Sequence, residues 1–170
     1  DNRASLAAMA DGARGADMLI TLGGASVGDH DLVQSVLGEK GLEVDFWRIA
    51  MRPGKPLMFG AIGETPMLGL PGNPVSSLVC GLVFVSAAIH AMLGRSGDYL
   101  ETDTARLGHD LPENDERQDY LRATLTRADD GGVVATPFGK QDSSMLTRLA
   151  AAQALVIRPP HAAAAGEGAV

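Results

Sequence analysis

The sequence contains a single cysteine, Cys80, among its 170 residues. One thiol cannot form an internal disulfide or a zinc site built from several cysteines, so both are excluded. Aromatic residues make up only 4% of the chain, too few for a stacking platform that binds single-stranded nucleic acid. Acidic residues outnumber basic ones by 21 to 14, and the net charge of −7 has the wrong sign for general binding to DNA or RNA. We therefore expect no nucleic-acid partner.

Charged residues are absent from positions 65–94, which raises the question of a membrane span. The stretch 75–94 is long enough to cross a bilayer, but it contains Ser76, Ser77 and His90 and has no flanking basic clusters. A helix packed on a sheet is apolar all round simply because protein covers it. We predict a buried core helix and no membrane partner. Because no secretory signal is visible at the start of the sequence, we also expect a cytoplasmic location.

Apolar residues make up 45% of the chain, and 21 glycines indicate many tight turns around a packed core. After Gly94, Asp, Gly and Pro turns separate short segments. We therefore predict an α/β domain over residues 1–96 and a smaller, mostly β domain over 97–170. The first domain is predicted to have helices at 2–14, 31–40 and 74–93 and strands at 17–22, 42–50, 57–61 and 67–70. The second has predicted strands at 120–126, 132–136 and 154–157 and a helix at 143–152, while the Ala/Gly-rich tail, 161–170, carries no predicted element.

A glycine-rich turn joins the first predicted strand to the second predicted helix. Its candidate binding residues are Gly23, Gly24, Ser26 and Gly28. Ligands of open α/β sheets bind beyond the carboxyl ends of strands, where free backbone N–H groups suit a phosphate. The turn matches neither a dinucleotide-binding sequence nor a Walker sequence, and an ordinary strand-to-helix turn explains it equally well.

A second turn of this kind opens the long apolar helix at Pro71-Gly72-Asn73-Pro74. Asn73 is suited to cap the helix and Pro74 to occupy its first turn, while Gly72 leaves room for a ligand. The alternative is that these residues do no more than begin a helix.

Three cations, Arg48, Arg52 and Lys55, lie within eight residues of this acidic chain. The stiff segment Pro53-Gly54-Lys55-Pro56 favours their fixed presentation over mobile solvation. A local reversal of charge beside two anion-friendly turns indicates an oxyanion site. A solvated loop with three unrelated charges is the alternative.

Two carboxylates, Asp29 and Asp31, follow the glycines of the first turn. At about 4 Å they would repel each other by roughly 4 kcal/mol near a protein surface. If they share a pocket with a phosphate, a divalent cation or the arginines must offset this charge, and Mg²⁺ fits carboxylate and substrate oxygens better than zinc. The alternative is that they cap the following helix.

Taken in order, these segments resemble the molybdopterin molybdenumtransferase family, which includes MoeA and the E domain of gephyrin-type proteins. The motifs that carry the resemblance are GGASVGDHD at 23–31, FWR at 46–48, MRPGKP at 51–56 and GLPGNPVS at 69–76, with looser matches at 117–123 and 141–149. The chain departs from the family pattern in three places, of which the replacement of a common Val by Ala25 is harmless. Leu22 stands where members commonly have Ser or Thr, and Asp142-Ser143-Ser144 replaces a Gly-Ser-Gly.

The resemblance implies a homodimeric enzyme that inserts molybdate into adenylylated molybdopterin, releases AMP and requires Mg²⁺. It implies a partial doubly wound α/β/α pterin-binding domain without its first strands, followed by a barrel-like β domain. On the matching positions, it implies that Asp31, Arg48 and Arg52 are catalytic and that Asp31 and Asp1 bind the metal. The residues implied to bind the substrates are Gly23, Gly24, Ser26, Gly28, Lys55, Pro71, Gly72, Asn73 and Pro74.

Two other functions remain open. One is a molybdopterin adenylyltransferase-like enzyme, which would carry neither the appended β domain nor the Pro-Gly-Asn-Pro turn. The other is a non-catalytic scaffold module that binds a pterin or a peptide. Because half of the implied pocket lies outside these 170 residues, we expect the chain alone to be inactive.

Overall fold

The computed structural model describes residues 2–23, 32–97 and 99–170. The chain divides into two compact units, unit 1 with Asp1–Ile49 and Gly54–Val85, and unit 2 with Ala50–Pro53 and Ser86–Val170. The predicted boundary after residue 96 differs from this division in two segments, 50–53 and 86–96. The first of these belongs to unit 2 because Met51 and Arg52 pair with a strand of that unit.

The helices and strands have the following bounds. In chain order they are α1 Arg3–Gly12, β1 Leu19–Leu22, α2 Leu32–Glu39, β2 Leu42–Trp47, β3 Met51–Arg52, β4 Met58–Ile62, β5 Thr65–Leu70, α3 Pro74–Cys80, a π-helical segment Gly81–Val85, α4 Ser86–Met92, β6 Arg106–Leu107, β7 Gln118–Arg127, β8 Val133–Pro137, α5 Leu146–Ala151 and β9 Ala154–Arg158. These bounds agree with most of the predicted elements to within a few residues.

Helices α1 and α2 share the core of unit 1 with the sheet. The side chain of Asn2 caps α1 by accepting a hydrogen bond from the Ser5 backbone N–H at 2.9 Å. Leu37 of α2 and Met67 of β5 are fully buried, and they pack with Ala10 and Leu19 in one apolar cluster. The helix-on-sheet arrangement therefore follows from the predicted hydrophobic periodicity.

Within the described residues, four strands form the sheet of unit 1 in the order β1-β5-β4-β2. Strands β1 and β5 are parallel, while β4 is antiparallel to both β5 and β2. The β4–β5 hairpin turns at Gly63-Glu64, where Gly63 has a φ of 60°. The sheet is mixed, and the prediction of an α/β fold is confirmed.

Strand β2 has a bulge at Asp45. Val44 pairs with Gly60 and Phe46 pairs with Phe59, so Asp45 is the extra residue. The bulged backbone comes so close that a Cβ on Gly60 would lie 2.3 Å from the Glu43 carbonyl oxygen. A bulge bends its strand, so Gly60 helps to set the direction in which β2 ends.

The long apolar helix is exposed along one face, and for that face the prediction of a buried core helix is wrong. Val75, Val79 and Cys80 are at most 1% exposed, whereas Leu78 and Leu82 are 56% and 54% exposed. Hydropathy does not distinguish the two faces, because both are made of apolar residues.

By length and composition alone, the described helix Pro74–Met92 would be able to cross a membrane, with a mean hydropathy of 2.0 and 28% of the apolar window buried. Core helices of soluble proteins pass the same test, so this is weak support for a span.

Strand β7 organises unit 2. It pairs antiparallel with β8 and β9 and in parallel with β3, while β6 pairs in parallel with β8. Among the described residues these pairings form an open sheet, and closure into a barrel stays a prediction.

The C-terminal segment, residues 162–170, is fixed to unit 2 although the sequence predicted no element there. The Leu107 backbone N–H donates to the Ala169 carbonyl, and the Gly168 N–H donates to the Leu107 carbonyl, both at 2.8 Å. Arg158, which is 8% exposed, adds a side-chain clamp. Its Nη2 donates at 3.2, 3.4 and 2.7 Å to the carbonyl oxygens of Pro112, Ala162 and Ala163. Hydrogen bonds therefore order this segment.

Candidate functional site

The candidate site of unit 1 lies at one edge of its sheet. Thr21 pairs with Gly69, Gly69 with Met58, and Met58 with Trp47, so these residues form one row across all four strands. The carboxyl ends of β1, β5 and β2 therefore meet at the same edge. The predicted segments that begin at Gly23, Arg48 and Pro71 leave the sheet there. This is the edge at which open α/β sheets bind ligands.

Two of these segments touch through their glycines. A Cβ on Gly72 would lie 3.3 Å from the Gly23 Cα, and Gly23 has a φ of 81°. The Gly23 N–H donates to the Leu70 carbonyl at 3.0 Å, which aligns the two chains where they leave the sheet. A Cβ on Gly72 would require the Gly23 backbone to shift slightly, and the positive φ of Gly23 strains other residues, so glycine favours this close approach.

The predicted helix start after Gly72 is confirmed, and its donors are partly used. The Asn73 Oδ1 accepts hydrogen bonds from the N–H groups of Val75 and Ser76 at 3.1 and 3.3 Å, and Pro74 occupies the first turn. These two amides serve the cap and are not open to a phosphate. Pro71, Gly72 and Asn73 therefore shape the sheet edge more than they supply anion donors.

Thr21 is a residue at this edge that the sequence analysis missed. It is 7% exposed, and among the described residues its Oγ1 has no hydrogen-bond partner. A Cβ on Gly69 would lie 3.5 Å from this oxygen. Burial alternates along β1, and Leu19 and Thr21 are its buried residues. The two-residue period of a strand could therefore have indicated that the Thr21 hydroxyl lies on the covered face.

Arg48 and Lys55 are the exposed cations of unit 1 near this edge. Arg48 has a φ of 72°, and its guanidinium carbon lies 4.4 Å from the centre of the Trp47 ring. The backbone N–H groups of Arg48 and Ile49 donate to the carbonyls of Leu57 and Lys55, both at 2.9 Å. These bonds close the loop that carries Lys55, so both cations are presented from a fixed backbone.

Arg52 lies in unit 2, and acidic groups there already hold its guanidinium. Its Nη1 donates to Asp115 at 2.9 Å, and its Nη2 donates to Asp119 at 2.6 Å and to Asn114 at 3.3 Å. The bond to Asp119 raises the pKa of Arg52. Hydrogen bonds from Arg117, assisted by the charge of Arg52, lower the pKa of Asp115 to about 2. The charge of Arg52 is therefore balanced by carboxylates at neutral pH.

Arg122 is a buried cation of unit 2 that the sequence analysis did not single out. It is fully buried, its Nε donates to Gln141 at 3.1 Å, and its Nη1 donates to the Asp142 carbonyl at 3.1 Å. Burial lowers the pKa of this guanidinium, and its Nη2 has no partner within the described part of the chain. The sequence feature that could have identified it is an arginine at an inward-facing position of a strand. Unpaired arginines are rarely buried, so an arginine at such a position indicates a specific role.

The segment that replaces the family's Gly-Ser-Gly is held by its own side chains. The Asp142 Oδ1 accepts hydrogen bonds from both the N–H and the hydroxyl of Ser144, each at 2.7 Å. These bonds lower the pKa of Asp142. The departure from the family pattern therefore adds a fixed charge beside Gln141.

Several predicted site residues lie outside the described residues. They are Asp1, Gly24, Ser26, Gly28 and Asp31. Across residues 2–23, 32–97 and 99–170, no group of three or more His, Cys, Asp or Glu side chains is placed to hold a metal ion. The described residues by themselves thus offer no ligand set for Mg²⁺, and the two ligands that the family resemblance implies, Asp1 and Asp31, lie outside them.

Comparison with known proteins adds an independent line of support. A family profile described as "Probable molybdopterin binding domain" matches residues 1–91, and one described as "MoeA C-terminal region (domain IV)" matches residues 104–170. The molybdopterin molybdenumtransferase of Bacillus subtilis (strain 168) is 34% identical over 155 residues, which cover 91% of this chain and 36% of the relative. The molybdenum cofactor synthesis protein cinnamon of Drosophila melanogaster is 34% identical over 84% of this chain and 24% of its own length.

A solved structure agrees with these sequence matches. The crystal structure of a molybdopterin biosynthesis MoeA protein from Pyrococcus horikosii matches with a TM-score of 0.75 and 31% identity, over 99% of this chain and 39% of that chain. The chain thus spans well under half the length of these relatives, at 36%, 24% and 39%. Two consecutive family matches, together with glycine turns that meet at the sheet edge, lead to one conclusion: the chain belongs to the molybdopterin molybdenumtransferase family.

Proposed function

We propose that a full-length protein carrying this chain inserts molybdate into adenylylated molybdopterin and releases AMP. The observation that supports this most directly is the single edge at which the segments starting at Gly23, Arg48 and Pro71 leave the sheet of unit 1. The substrates carry phosphate and molybdate, and an edge with main-chain donors and fixed cations suits such oxyanions.

The glycine turn is the proposed seat of the pterin phosphate. Gly23 and Gly72 let two main chains approach closely, and Thr21, whose hydroxyl has no hydrogen-bond partner among the described residues, lies two positions before Gly23 and pairs with Gly69. A hydroxyl can donate to a phosphate oxygen as readily as a backbone N–H. Gly24, Ser26 and Gly28 join the proposal on the family resemblance alone.

Arg48 and Lys55 are the proposed cations for molybdate. A hydrogen bond between charged groups contributes roughly 1.5–3 kcal/mol, and both side chains are exposed and presented from a closed loop. Release of AMP breaks the phosphoanhydride bond while an oxygen of molybdate or of water forms the new bond to phosphorus, so negative charge develops on phosphate oxygens. Fixed cations near them lower the barrier because they need no reorganisation at the moment of reaction.

Arg52 has a secondary place in this proposal. To bind molybdate, its guanidinium would have to exchange Asp115 or Asp119 for the new anion. Three anions around one cation repel one another, and for this reason we assign the main electrostatic role to Arg48 and Lys55.

Asp31 and Asp1 are the proposed Mg²⁺ ligands, on the family resemblance alone. When bound, the ion would neutralise substrate phosphate oxygens. We further propose that the full-length protein is a homodimer, that it acts in the cytoplasm, and that this chain by itself is inactive.

The adenylyltransferase alternative fits this chain less well. Such an enzyme would not be expected to carry a β domain, whereas residues 104–170 match the C-terminal region of MoeA proteins. A scaffold role finds one supporting feature in the exposed Leu78 and Leu82. Their exposure alone identifies no partner, and the enzyme proposal is preferred.

The proposed role of the two cations is tested in a full-length protein by the substitutions Arg48→Ala and Lys55→Ala. Each is expected to raise the KM for molybdate in an AMP-release assay by about 10- to 100-fold, the kinetic equivalent of one lost charge-assisted hydrogen bond. Arg127→Ala is the matched control, since Arg127 is exposed and, among the described residues, its side chain donates to the Gly131 carbonyl of its own turn at 3.2 Å. If the Arg48→Ala and Lys55→Ala proteins both keep the wild-type KM, neither cation binds molybdate.

The proposed role of Asp31 is tested separately by Asp31→Ala. The expected result is at least a tenfold loss of turnover at saturating substrate, with a changed dependence on Mg²⁺ concentration. Asp17→Ala, in the turn before β1, is the control for loss of one acidic charge in unit 1. Undiminished turnover in the Asp31→Ala protein would reject the metal-binding role.

A further inference from the structure

His109 faces carbonyl oxygens with both of its ring nitrogens. Its Nδ1 lies 2.8 Å from the Asp110 carbonyl oxygen, and its Nε2 lies 2.8 Å from the Pro137 carbonyl oxygen. Carbonyl oxygens only accept hydrogen bonds, and a neutral imidazole carries one N–H group. Only the doubly protonated ring can donate to both at once. The geometry therefore specifies an imidazolium.

The charges near the ring act in the same direction. Asp110 faces it from the adjacent position in the chain and Glu167 from the C-terminal segment, while β8 contributes the Pro137 carbonyl. The two hydrogen bonds, first to Asp110 and then to Pro137, raise the pKa of His109 above its ordinary value of 6.5, and the two carboxylates add to the effect.

The ring lies where the pairing of β6 with β8 ends. Leu107 pairs with Ala135, and the Gly108 N–H donates to the Ala135 carbonyl at 2.9 Å. Beyond this point the backbone turns away, and the His109 side chain makes the next link to β8. The ring thus continues a strand pairing that is only two residues long in the backbone.

The turn that His109 holds also holds the C-terminal segment. The Asp110 Oδ1 accepts a hydrogen bond from the Glu167 N–H at 2.8 Å. One residue further on, Leu111 and Ala165 form an antiparallel bridge. Movement of this turn would therefore disturb residues 165–168 directly.

We propose that His109 is a proton-dependent latch that fastens the C-terminal segment to β8 through the turn at residues 108–110. Loss of one ring proton leaves one of the two carbonyl oxygens without its donor, so the turn loosens and residues 165–168 lose protection. A group whose pKa is raised on folding stabilises the fold fully below the unfolded-state pKa of 6.5, and this stabilisation disappears as the pH rises through the folded-state value. This proposal is independent of the proposed enzymatic function.

The first test is an NMR titration of the 170-residue chain with ¹⁵N-labelled histidine. The expected result is a His109 ring whose two nitrogens both keep the shifts of protonated imidazolium above pH 6.5. Amide exchange, corrected for intrinsic rates, is expected to lose protection at Glu167 and Gly168 over the same titration, by about fivefold or more, as for the loss of one ordinary hydrogen bond. A ring that is neutral at pH 6.5 would overturn the proposal, as would C-terminal protection that does not follow the His109 titration.

The second test compares the pH dependence of stability in His109→Gln and His161→Asn proteins. A glutamine cannot titrate, so the loss of stability above pH 6.5 is expected to flatten, whatever the absolute stability of the variant. His161 is exposed and has a φ of 57°, a conformation that asparagine tolerates, so His161→Asn is expected to keep the wild-type pH profile. A His109→Gln protein with the wild-type slope would contradict the latch. If that variant does not fold, the titration of the unmodified chain still decides.

Discussion

A Gly60→Ala protein is expected to lose about 3 kcal/mol or more of its free energy of unfolding. The added Cβ would lie 2.3 Å from the Glu43 carbonyl oxygen and 3.1 Å from the Val44 Cα. Both are backbone atoms of the bulged strand, and neither can move without breaking the pairing of Val44 with Gly60. The free energy of unfolding therefore falls because strand pairing is disrupted, and a side-chain rearrangement does not relieve the clash.

Urea unfolding followed by Trp47 fluorescence measures this loss. Trp47 is the single tryptophan of the chain and lies at the end of β2, so its signal reports on the affected strand. Gly38→Ala is the matched control, because Gly38 lies in α2 and a Cβ there would meet no atom within 4 Å. That change is expected to stabilise the protein by about 0.5–1 kcal/mol. A Gly60→Ala protein as stable as the wild type would mean that the bulge is not held as described.

An Arg158→Met protein is expected to lose about 2–3 kcal/mol, mostly from the C-terminal part of unit 2. The substitution keeps an unbranched side chain of similar length but removes the donors that serve three carbonyl oxygens. Because Arg158 is only 8% exposed, water replaces these donors poorly. Relief of the buried charge offsets part of the loss.

Hydrogen exchange locates the effect of Arg158→Met, and chemical denaturation gives its size. The amides of Ala165 and Gly168 are expected to lose protection before those of β7, since they depend on the clamped segment. The control is Arg127→Met on β7, where an exposed guanidinium donates to the Gly131 carbonyl of its own turn and the change should stay within about 0.5 kcal/mol. Equal losses in the two variants would show that the clamp contributes nothing specific.

Local patterns in the sequence predicted the parts of the fold that local contacts determine. Asn73 and Pro74 mark a helix start because capping involves residues two and three positions away. The β4–β5 hairpin follows from a turn signal at Gly63-Glu64 between two apolar runs. The order of the motifs also placed the glycine turns together, because the carboxyl ends of parallel strands share one edge.

Contacts between distant positions could not be predicted in this way. The bond from Arg52 to Asp119 spans 67 positions, and nothing near Arg52 in the sequence indicates its acidic partners. For the same reason the sequence did not distinguish Arg52, whose charge is balanced by carboxylates, from Arg48 and Lys55, which are exposed. The exposed face of the helix at Leu78 and Leu82 was missed because composition reports how apolar a face is and not what covers it.

The requirement for glycine at position 60 also could not be predicted from the sequence. The chain has 21 glycines, and a bulge on a neighbouring strand is what distinguishes this one. The buried Thr21 and Arg122 likewise differ from other polar residues in that one polar atom of each has no partner among the residues that the structure describes. Such atoms depend on the complete surroundings, which a sequence read alone does not contain.

The small strand β3 has a consequence for how unit 2 can be exchanged between proteins. Unit 2 takes Ala50–Pro53 from the interior of the sequence of unit 1, so no single cut in the polypeptide releases it whole. A piece that starts at residue 97 would leave the 5% exposed Asp119 without the cation that neutralises it. Recombination at one crossover point would therefore produce a hybrid with mismatched charges, and successful chimeras should transfer both segments together.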